Sequence, residues 1–204
     1  NPNVASMKLL ERIRDIYPEK TAIWTEDVPM DVPSQYVDGC LSYSAVSTAR
    51  CVNPVWDEPL ETPKYRDPEL DIARYTIPRV KQFVLPQGID KEAGWTVLKQ
   101  ILFNGKGLFG GGWASWPDNM SAVIGETIRL EREYTDCFNS TKPEHLVPTL
   151  RADVYANKFP GKNRTLWTVF NASGLTVKGN VIAVPHVPGV TYLNAADGKA
   201  LRFS

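Results

Sequence analysis

The chain has 204 residues, of which 43% are hydrophobic, so it can bury a core in one medium domain or two small ones. Its 23 basic and 23 acidic side chains balance, which leaves no net field to attract nucleic acid or an anionic membrane. No window approaches the roughly 18 apolar residues that a membrane span requires. The three cysteines are widely spaced and predict neither a disulfide framework nor a metal site. We therefore expect no metal, nucleic-acid or membrane partner.

The first predicted unit is a helix followed by a strand. Apolar residues recur at helical spacing from Met7 to Tyr17 and predict an amphipathic helix. A two-residue turn then leads into Thr21–Thr25, whose apolar run predicts a buried strand ending just before Glu26. The Pro- and Tyr-rich residues 27–78 that follow are interpreted as irregular. Helix, short turn and strand are the repeating unit of an α/β fold.

The same kinds of element follow in alternation. A strand is predicted at Val80–Pro86, and then a helix with Asp90 as its N-cap and Gly105 as its stop. The stretch "GLFGG" reads as a short inner strand. A final amphipathic helix, "DNMSAVIGETIRLEREYTDCF", begins at Asp118. The order strand, helix, strand, helix favours a parallel sheet.

Beyond Thr141 the pattern changes from helical to alternating. Pro143 and Pro148 mark a linker, and four segments with period-two alternation follow between turn signals. They predict an antiparallel β domain of about 55 residues, so small that it should lean on the α/β part. We expect it to pack on the final helix through some of Val154, Trp167, Val169 and Val181. The four segments are "RADVYANKF", "RTLWTVFNAS", "VKGNVIAVP" and "VTYLNAADGKALRF".

Three predicted parallel strands cannot close a sheet by themselves. The simplest interpretation makes residues 1–147 the C-terminal part of a (β/α)8 TIM-type barrel and residues 148–204 a small antiparallel β-sandwich. "IWTE", "KQFVLP" and "GLFGG" are then the sixth, seventh and eighth strands. This predicts a partner, the N-terminal remainder of the barrel, in the same or another chain. An open three-layer sheet with a β appendage is the alternative.

The candidate site lies where these strands end, because catalytic groups of such barrels collect at the carboxyl ends of the strands. Glu26 is the candidate catalytic acid, while other carboxylates and flat aromatic rings are candidates for binding a carbohydrate substrate. The same residues have plainer interpretations: Glu26 as a solvated strand end, and the tryptophans of "GGGWASWPD" as interdomain packing. The predicted substrate-binding residues are Trp24, Asp27, Asp31, Asp38, Trp113 and Trp116.

Other chemistries find less support in the sequence. The only histidines, His145 and His186, lie in the linker and the β domain, with no spacing for a metal set or a Ser-His pair. Neither G-x-S-x-G nor G-x-G-x-x-G occurs, and no G-K-[ST] follows the glycines at Gly110 to Gly112. No bound cofactor is expected.

These residues carry a resemblance that spans most of the chain. The runs "IWTEDVPMDVPSQYVDGCLSY", "FVLP", "LFNGKGLF" and "VYANKFPGKNRTLWTVFNASGLTVKGNVIAVPH" resemble the C-terminal part of bacterial (β/α)8-barrel glycoside hydrolases with a trailing β-sandwich, in the broad group related to α-galactosidases and endo-α-N-acetylgalactosaminidases. The resemblance implies a nucleophilic Asp after the fourth strand and an acid/base carboxylate after the sixth. Glu26 matches the second position only. A non-catalytic carbohydrate-binding or structural module is the alternative function.

Overall fold

The computed structural model of the chain contains two β-sheets connected by helices. The fold is mixed: a parallel four-stranded sheet flanked by helices, followed by a separate three-stranded antiparallel sheet. The residues that the structure describes are 2–17, 21–26, 29, 32–42, 71–84, 91–108 and 118–201.

The parallel sheet has its strands in chain order, β1-β2-β3-β4, and every neighbouring pair is parallel. The sequence predicted three strands, and the fourth, β2, lies inside the stretch interpreted as irregular. Its four residues include a glycine and a serine, too short a pattern for alternation to stand out. Because β2 lies between β1 and β3, "IWTE" and "KQFVLP" are not neighbouring strands, and the prediction that they are the sixth and seventh strands of a barrel is wrong. The four strands are β1 (Trp24–Glu26), β2 (Gly39–Ser42), β3 (Lys81–Val84) and β4 (Gly107–Leu108).

The helix α1 (Pro2–Ile16) covers one face of this sheet. Its Leu10 and Ile13 pack against a buried cluster contributed by β2, by the residue before β1 and by the loops that lead into β2 and β3. Helical spacing puts these two side chains on one stripe of α1, as its sequence predicted, although the helix begins before Met7. The members of the cluster are Ile23, Val37, Cys40 and Val80.

Gly105 ends the next long helix, α3 (Lys91–Asn104), as predicted. Its φ of 64° is left-handed, a conformation that glycine adopts without the Cβ penalty of other residues. The Gly105 N–H then donates to the Leu102 carbonyl and the Lys106 N–H to the Ile101 carbonyl, both at 3.1 Å. These two bonds satisfy carbonyls that the end of the helix would leave open, and the chain turns directly into β4.

The remaining helices are shorter or divided. A one-turn helix, α2 (Ile72–Thr76), lies in the stretch predicted to be irregular, as does a 3₁₀ turn at Pro33–Tyr36. The predicted final helix is two helices, α4 (Asp118–Glu133) and α5 (Thr135–Phe138), separated at Tyr134.

The antiparallel sheet has the order β5-β6-β7, with β5 (Glu144–Val147), β6 (Val154–Pro160) and β7 (Thr165–Asn171). The predicted hairpin at Pro160-Gly161 is present, with the Gly161 N–H donating to the Arg164 carbonyl at 2.8 Å. β5 instead lies in the predicted linker, before the division at residue 147. The last two predicted strands contribute only isolated bridges, and residues 118–201 contain this one antiparallel sheet.

The antiparallel sheet packs on the ends of α3 and α5. Phe159 is fully buried, with its ring centroid 5.9 Å from that of Phe138 in α5. The Asn157 amide and the Thr168 hydroxyl donate to the Phe103 carbonyl in α3 at 2.9 and 2.7 Å. Val154 is buried as expected, whereas Val169 is 47% exposed. Side-chain packing and hydrogen bonds therefore join the antiparallel sheet to the α/β part through α3 and α5.

Candidate functional site

Glu26 lies at the carboxyl edge of the parallel sheet. It is the last residue of β1, and its side chain is exposed. In register with it across the sheet are Leu41, Phe83 and Gly107, in that order. Residues in register across parallel strands point to the same face. The row that begins with Glu26 therefore continues with the apolar side chains of Leu41 and Phe83 and ends at Gly107.

Trp24 lies on the same face, two residues before Glu26. Its indole crosses β2 above Gly39 and meets Phe83 of β3, with the ring centroids 4.8 Å apart and the planes tilted by 54°. The sequence predicted a buried Trp24, but the residue is 47% exposed. We call the surface formed by Trp24, Leu41 and Phe83 the aromatic floor.

Two glycines make room for the aromatic floor. A Cβ on Gly39 would lie 3.0 Å from the Trp24 ring and 3.0 Å from the Lys81 carbonyl oxygen. A Cβ on Gly107 would lie 2.5 Å from the Phe83 ring, closer than van der Waals contact permits. The rings can therefore lie close against the strands. Backbone approach of this kind is a standard role of glycine inside a strand.

Asp38 is at the opposite edge of the sheet, directly before β2. Its Oδ2 accepts hydrogen bonds from Arg14 at 2.7 Å and from the Ile23 N–H at 2.9 Å. Burial raises the pKa of Asp38, but these two bonds outweigh it and leave the pKa below its ordinary value. Asp38 thus joins α1 to the start of β1 and β2. The structure does not bring it together with Glu26.

The other predicted site residues lie outside the described part of the chain. Asp27 and Asp31 belong to the stretch after β1, and Trp113 and Trp116 to the stretch after β4. Their roles stay predictions.

Sequence reasoning missed Leu41, Phe83, Gly39 and Gly107 as parts of this surface. Phe83 and Gly107 fall in predicted strands, so strand pairing was the missing information. Leu41 and Gly39 fall in a strand that was not predicted. The signal that could have found them is the short apolar stretch around Cys40, bounded by Asp38 and Ser42.

The described residues hold no group of three or more His, Cys, Asp or Glu side chains arranged to bind a metal. In the same part of the chain, no helix has both the length and the apolar character for a transmembrane span. Comparison with known proteins gives no match: no family model fits the chain, and no curated protein or solved structure is significantly similar to it.

Proposed function

We propose that this chain is the carboxyl-terminal part of a glycoside hydrolase and that Glu26 is its general acid/base. One observation carries the proposal: an exposed carboxylate ends a parallel strand on the same face as a half-exposed tryptophan packed on a second ring. A carboxyl group beside an apolar aromatic surface suits a pyranose, which has an apolar face and polar oxygens at its rim.

The strand order supports a barrel as the complete architecture. Four parallel strands follow each other in chain order, so the connections do not reverse direction as they do in doubly wound sheets. Helix α1 packs on the face that carries Cys40, and the opposite face carries the aromatic floor. In a (β/α)8 barrel the helices cover the outside, and catalytic residues stand at the carboxyl ends of the strands. The aromatic floor would then face the interior of the barrel.

The proposed chemistry needs two carboxyl groups. Glu26 in its acid form would protonate the glycosidic oxygen as the bond to the sugar breaks, and its carboxylate would then accept a proton from the attacking water. In this retaining mechanism the second carboxylate would be the nucleophile that attacks the sugar, and it would come from a strand outside these residues.

A non-catalytic carbohydrate-binding module is the second candidate. The half-exposed Trp24 favours it, because a ring fixed against a second ring provides a stacking surface without any acid. The two candidates differ in what Glu26 does. If the chain is a binding module, neutralising Glu26 should leave the affinity for saccharides unchanged, and neither form of the protein should cleave a glycoside.

The test compares Glu26→Gln with Glu11→Gln in the complete protein on a panel of glycosides. Glu11 is an exposed glutamate of α1, the helix that packs on the other face of the sheet, and serves as the matched control. Loss of general acid catalysis should lower kcat on the order of 10² to 10⁴ fold. Equal turnover of the two variants would reject the catalytic role, and saccharide binding without any turnover would favour the binding module.

A further inference from the structure

Two cations meet at the amino edge of the parallel sheet, the edge opposite to Glu26. Arg74 of α2, only 2% exposed, donates through Nη2 to the carbonyl oxygen of Phe138 at 2.8 Å. Lys81, the first residue of β3, donates through Nζ to the same oxygen at 2.7 Å. A single carbonyl oxygen thus brings a guanidinium and an ammonium group close together, although like charges repel each other.

The Arg74 guanidinium keeps one nitrogen atom without a hydrogen bond. Its Nε donates to the Gly105 carbonyl at 3.4 Å and its Nη2 to the Phe138 carbonyl. Its Nη1 is buried and has no hydrogen-bond partner among the described residues. Buried polar atoms of folded proteins nearly always have a partner, and an unsatisfied group that carries charge is the most costly kind. The Nη1 atom therefore indicates an acceptor that binds beside it.

The two cations also lack a carboxylate that would neutralise them. In the part of the chain that the structure describes, neither Arg74 nor Lys81 forms an ion pair. Asp71, the N-cap of α2, is paired with Lys106 instead. Glu131 of α4 forms no ion pair with either cation there, and its Oε1 has no hydrogen-bond partner. Because a buried charge is costly unless it is paired, the missing acceptor should carry a negative charge, which water does not.

Tyr75, the next residue of α2, adds a neutral donor beside the same aromatic ring as Arg74. Its hydroxyl group is buried and has no hydrogen-bond partner among the described residues. The Arg74 guanidinium carbon lies 5.5 Å from the centre of the Phe159 ring, and the centre of the Tyr75 ring lies 6.5 Å from it. Guanidinium N–H and phenol O–H groups both donate hydrogen bonds, and an anion accepts them.

We propose that Arg74 and Lys81, together with the Tyr75 hydroxyl, bind a small monovalent anion of the size of chloride at this edge of the sheet. The anion would accept a hydrogen bond from Arg74 Nη1 and offset the two positive charges. A compact ion suits the site better than the phosphate group of a larger ligand, because Arg74 is almost closed to solvent. This binding site is independent of the role of Glu26.

The pKa values of the two cations agree with a pair whose charge is not fully compensated. Burial, and then the charge of Arg74, lower the pKa of Lys81 to about 8, with the charge of Glu131 acting in the other direction. Burial also lowers the pKa of Arg74. A bound anion would favour the charged form of each cation and raise both pKa values.

The bound anion would stabilise the connection between the two sheets. Phe138 ends α5, and its ring packs on Phe159 of β6 with the ring centroids 5.9 Å apart. The anion would hold Arg74 and Lys81 together on the Phe138 carbonyl, and so keep α5 at the amino edge. Local opening of α5 would separate these groups and release the anion.

The experiment compares sodium chloride with sodium methanesulfonate at equal ionic strength, in the complete protein. The protein should broaden the ³⁵Cl NMR resonance, and added bromide should reverse the broadening by competition, whereas methanesulfonate should not. Amide hydrogen exchange in α5 gives a second readout. At a chloride concentration of about ten times Kd, the protection of the Phe138 and Ser140 amides should increase about 10-fold, since the anion binds only the closed form.

Lys81→Met removes one charge and keeps the length of the side chain, so it should weaken chloride binding at least about 10-fold. Arg74→Lys keeps a charge but removes Nη1, and it should weaken binding as well. The matched control is Lys99→Met, the same substitution at an exposed lysine of α3, which should bind chloride like the unmodified protein.

Three results would overturn the proposal. Chloride and methanesulfonate could act equally on the unmodified protein, which would reveal an effect of ionic strength alone. Lys81→Met could bind chloride as Lys99→Met does, which would place the anion elsewhere. Chloride binding could also arise only in Glu131→Gln, which would make Glu131 the counter-charge. The comparison of the two salts uses the unmodified protein, so it holds even if a variant does not fold.

Discussion

Asn157 shows how one buried amide joins three elements. Its Oδ1 accepts from the Leu146 N–H and its Nδ2 donates to the Phe103 carbonyl, both at 2.9 Å. Leu146 has a left-handed φ of 47°, and the register of β5 shifts around it. The amide therefore satisfies an N–H that the irregular strand does not pair, and holds that strand to the end of α3.

Asn157→Ala should consequently destabilise the fold. It removes both hydrogen bonds and leaves polar groups at a fully buried position, which should cost about 2 kcal/mol in the free energy of unfolding. Urea denaturation measures this difference. Asn163→Ala, at an exposed position in the β6–β7 loop, should change the free energy by less than about 0.5 kcal/mol. Equal stability of both variants would mean that the amide makes no net contribution.

At the scale of single elements, the sequence predicted those helices and turns that depend on residues close together in the chain. The helix α3 has a clear apolar period and a glycine at its end, and it stops at the predicted residue. β2 escaped prediction because its burial comes from tertiary packing: Cys40 is fully buried in the cluster that α1 covers. The last two predicted strands show the converse. Apolar and polar residues alternate along these two segments, yet the segments form only isolated bridges. Leu193, one of their apolar residues, is half exposed.

The sequence likewise predicted one part of the candidate site and missed another. The position of Glu26 at a strand end followed from the apolar run before it, and the structure has β1 ending at this residue. The sequence did not predict the aromatic floor, because the contact between Trp24 and Phe83 depends on the register of β1, β2 and β3. Register between strands distant in sequence is not encoded in any local window of the chain.

The glycines under the aromatic floor give a prediction for this element. Gly107→Ala places a Cβ 2.5 Å from the Phe83 ring, so the ring must move, at a cost of about 1 to 3 kcal/mol in stability. Gly125→Ala is the matched control, since its Cβ meets no atom within 4 Å inside α4. It should stabilise the chain by about 0.5 to 1 kcal/mol.

Thermal unfolding of the two variants checks the contrast, because the same substitution should shift the midpoint in opposite directions. A Gly107→Ala protein as stable as the unmodified chain would mean that the ring is free to move away. The aromatic floor would then be loosely packed rather than fixed against the strands.

At the scale of the whole molecule, the parallel sheet ends in β1 and β4, each of which has one neighbouring strand among the described residues. Trp24 adds an exposed apolar surface on the face away from α1. Edge strands and apolar patches promote association. A barrel completed by further strands, as proposed, would cover both.

The barrel proposal therefore predicts that the 204-residue chain studied alone associates with itself or with the strands that complete the barrel. Sedimentation velocity of the isolated chain measures this directly. Association that grows with protein concentration is the expected result. A monodisperse monomer that unfolds in one cooperative transition would count against the barrel and favour an independent open sheet.

The central claim is that Glu26 donates the proton to the leaving oxygen. The most direct test is to measure how far Glu26→Gln slows cleavage of substrates with different leaving groups. In the complete protein, this variant should slow cleavage of a natural glycoside on the order of 10² to 10⁴ fold. An aryl glycoside with an activated leaving group needs little protonation, so its glycosylation step should be slowed far less. The same loss for both substrates, or no loss for either, would contradict the role of Glu26 as the acid.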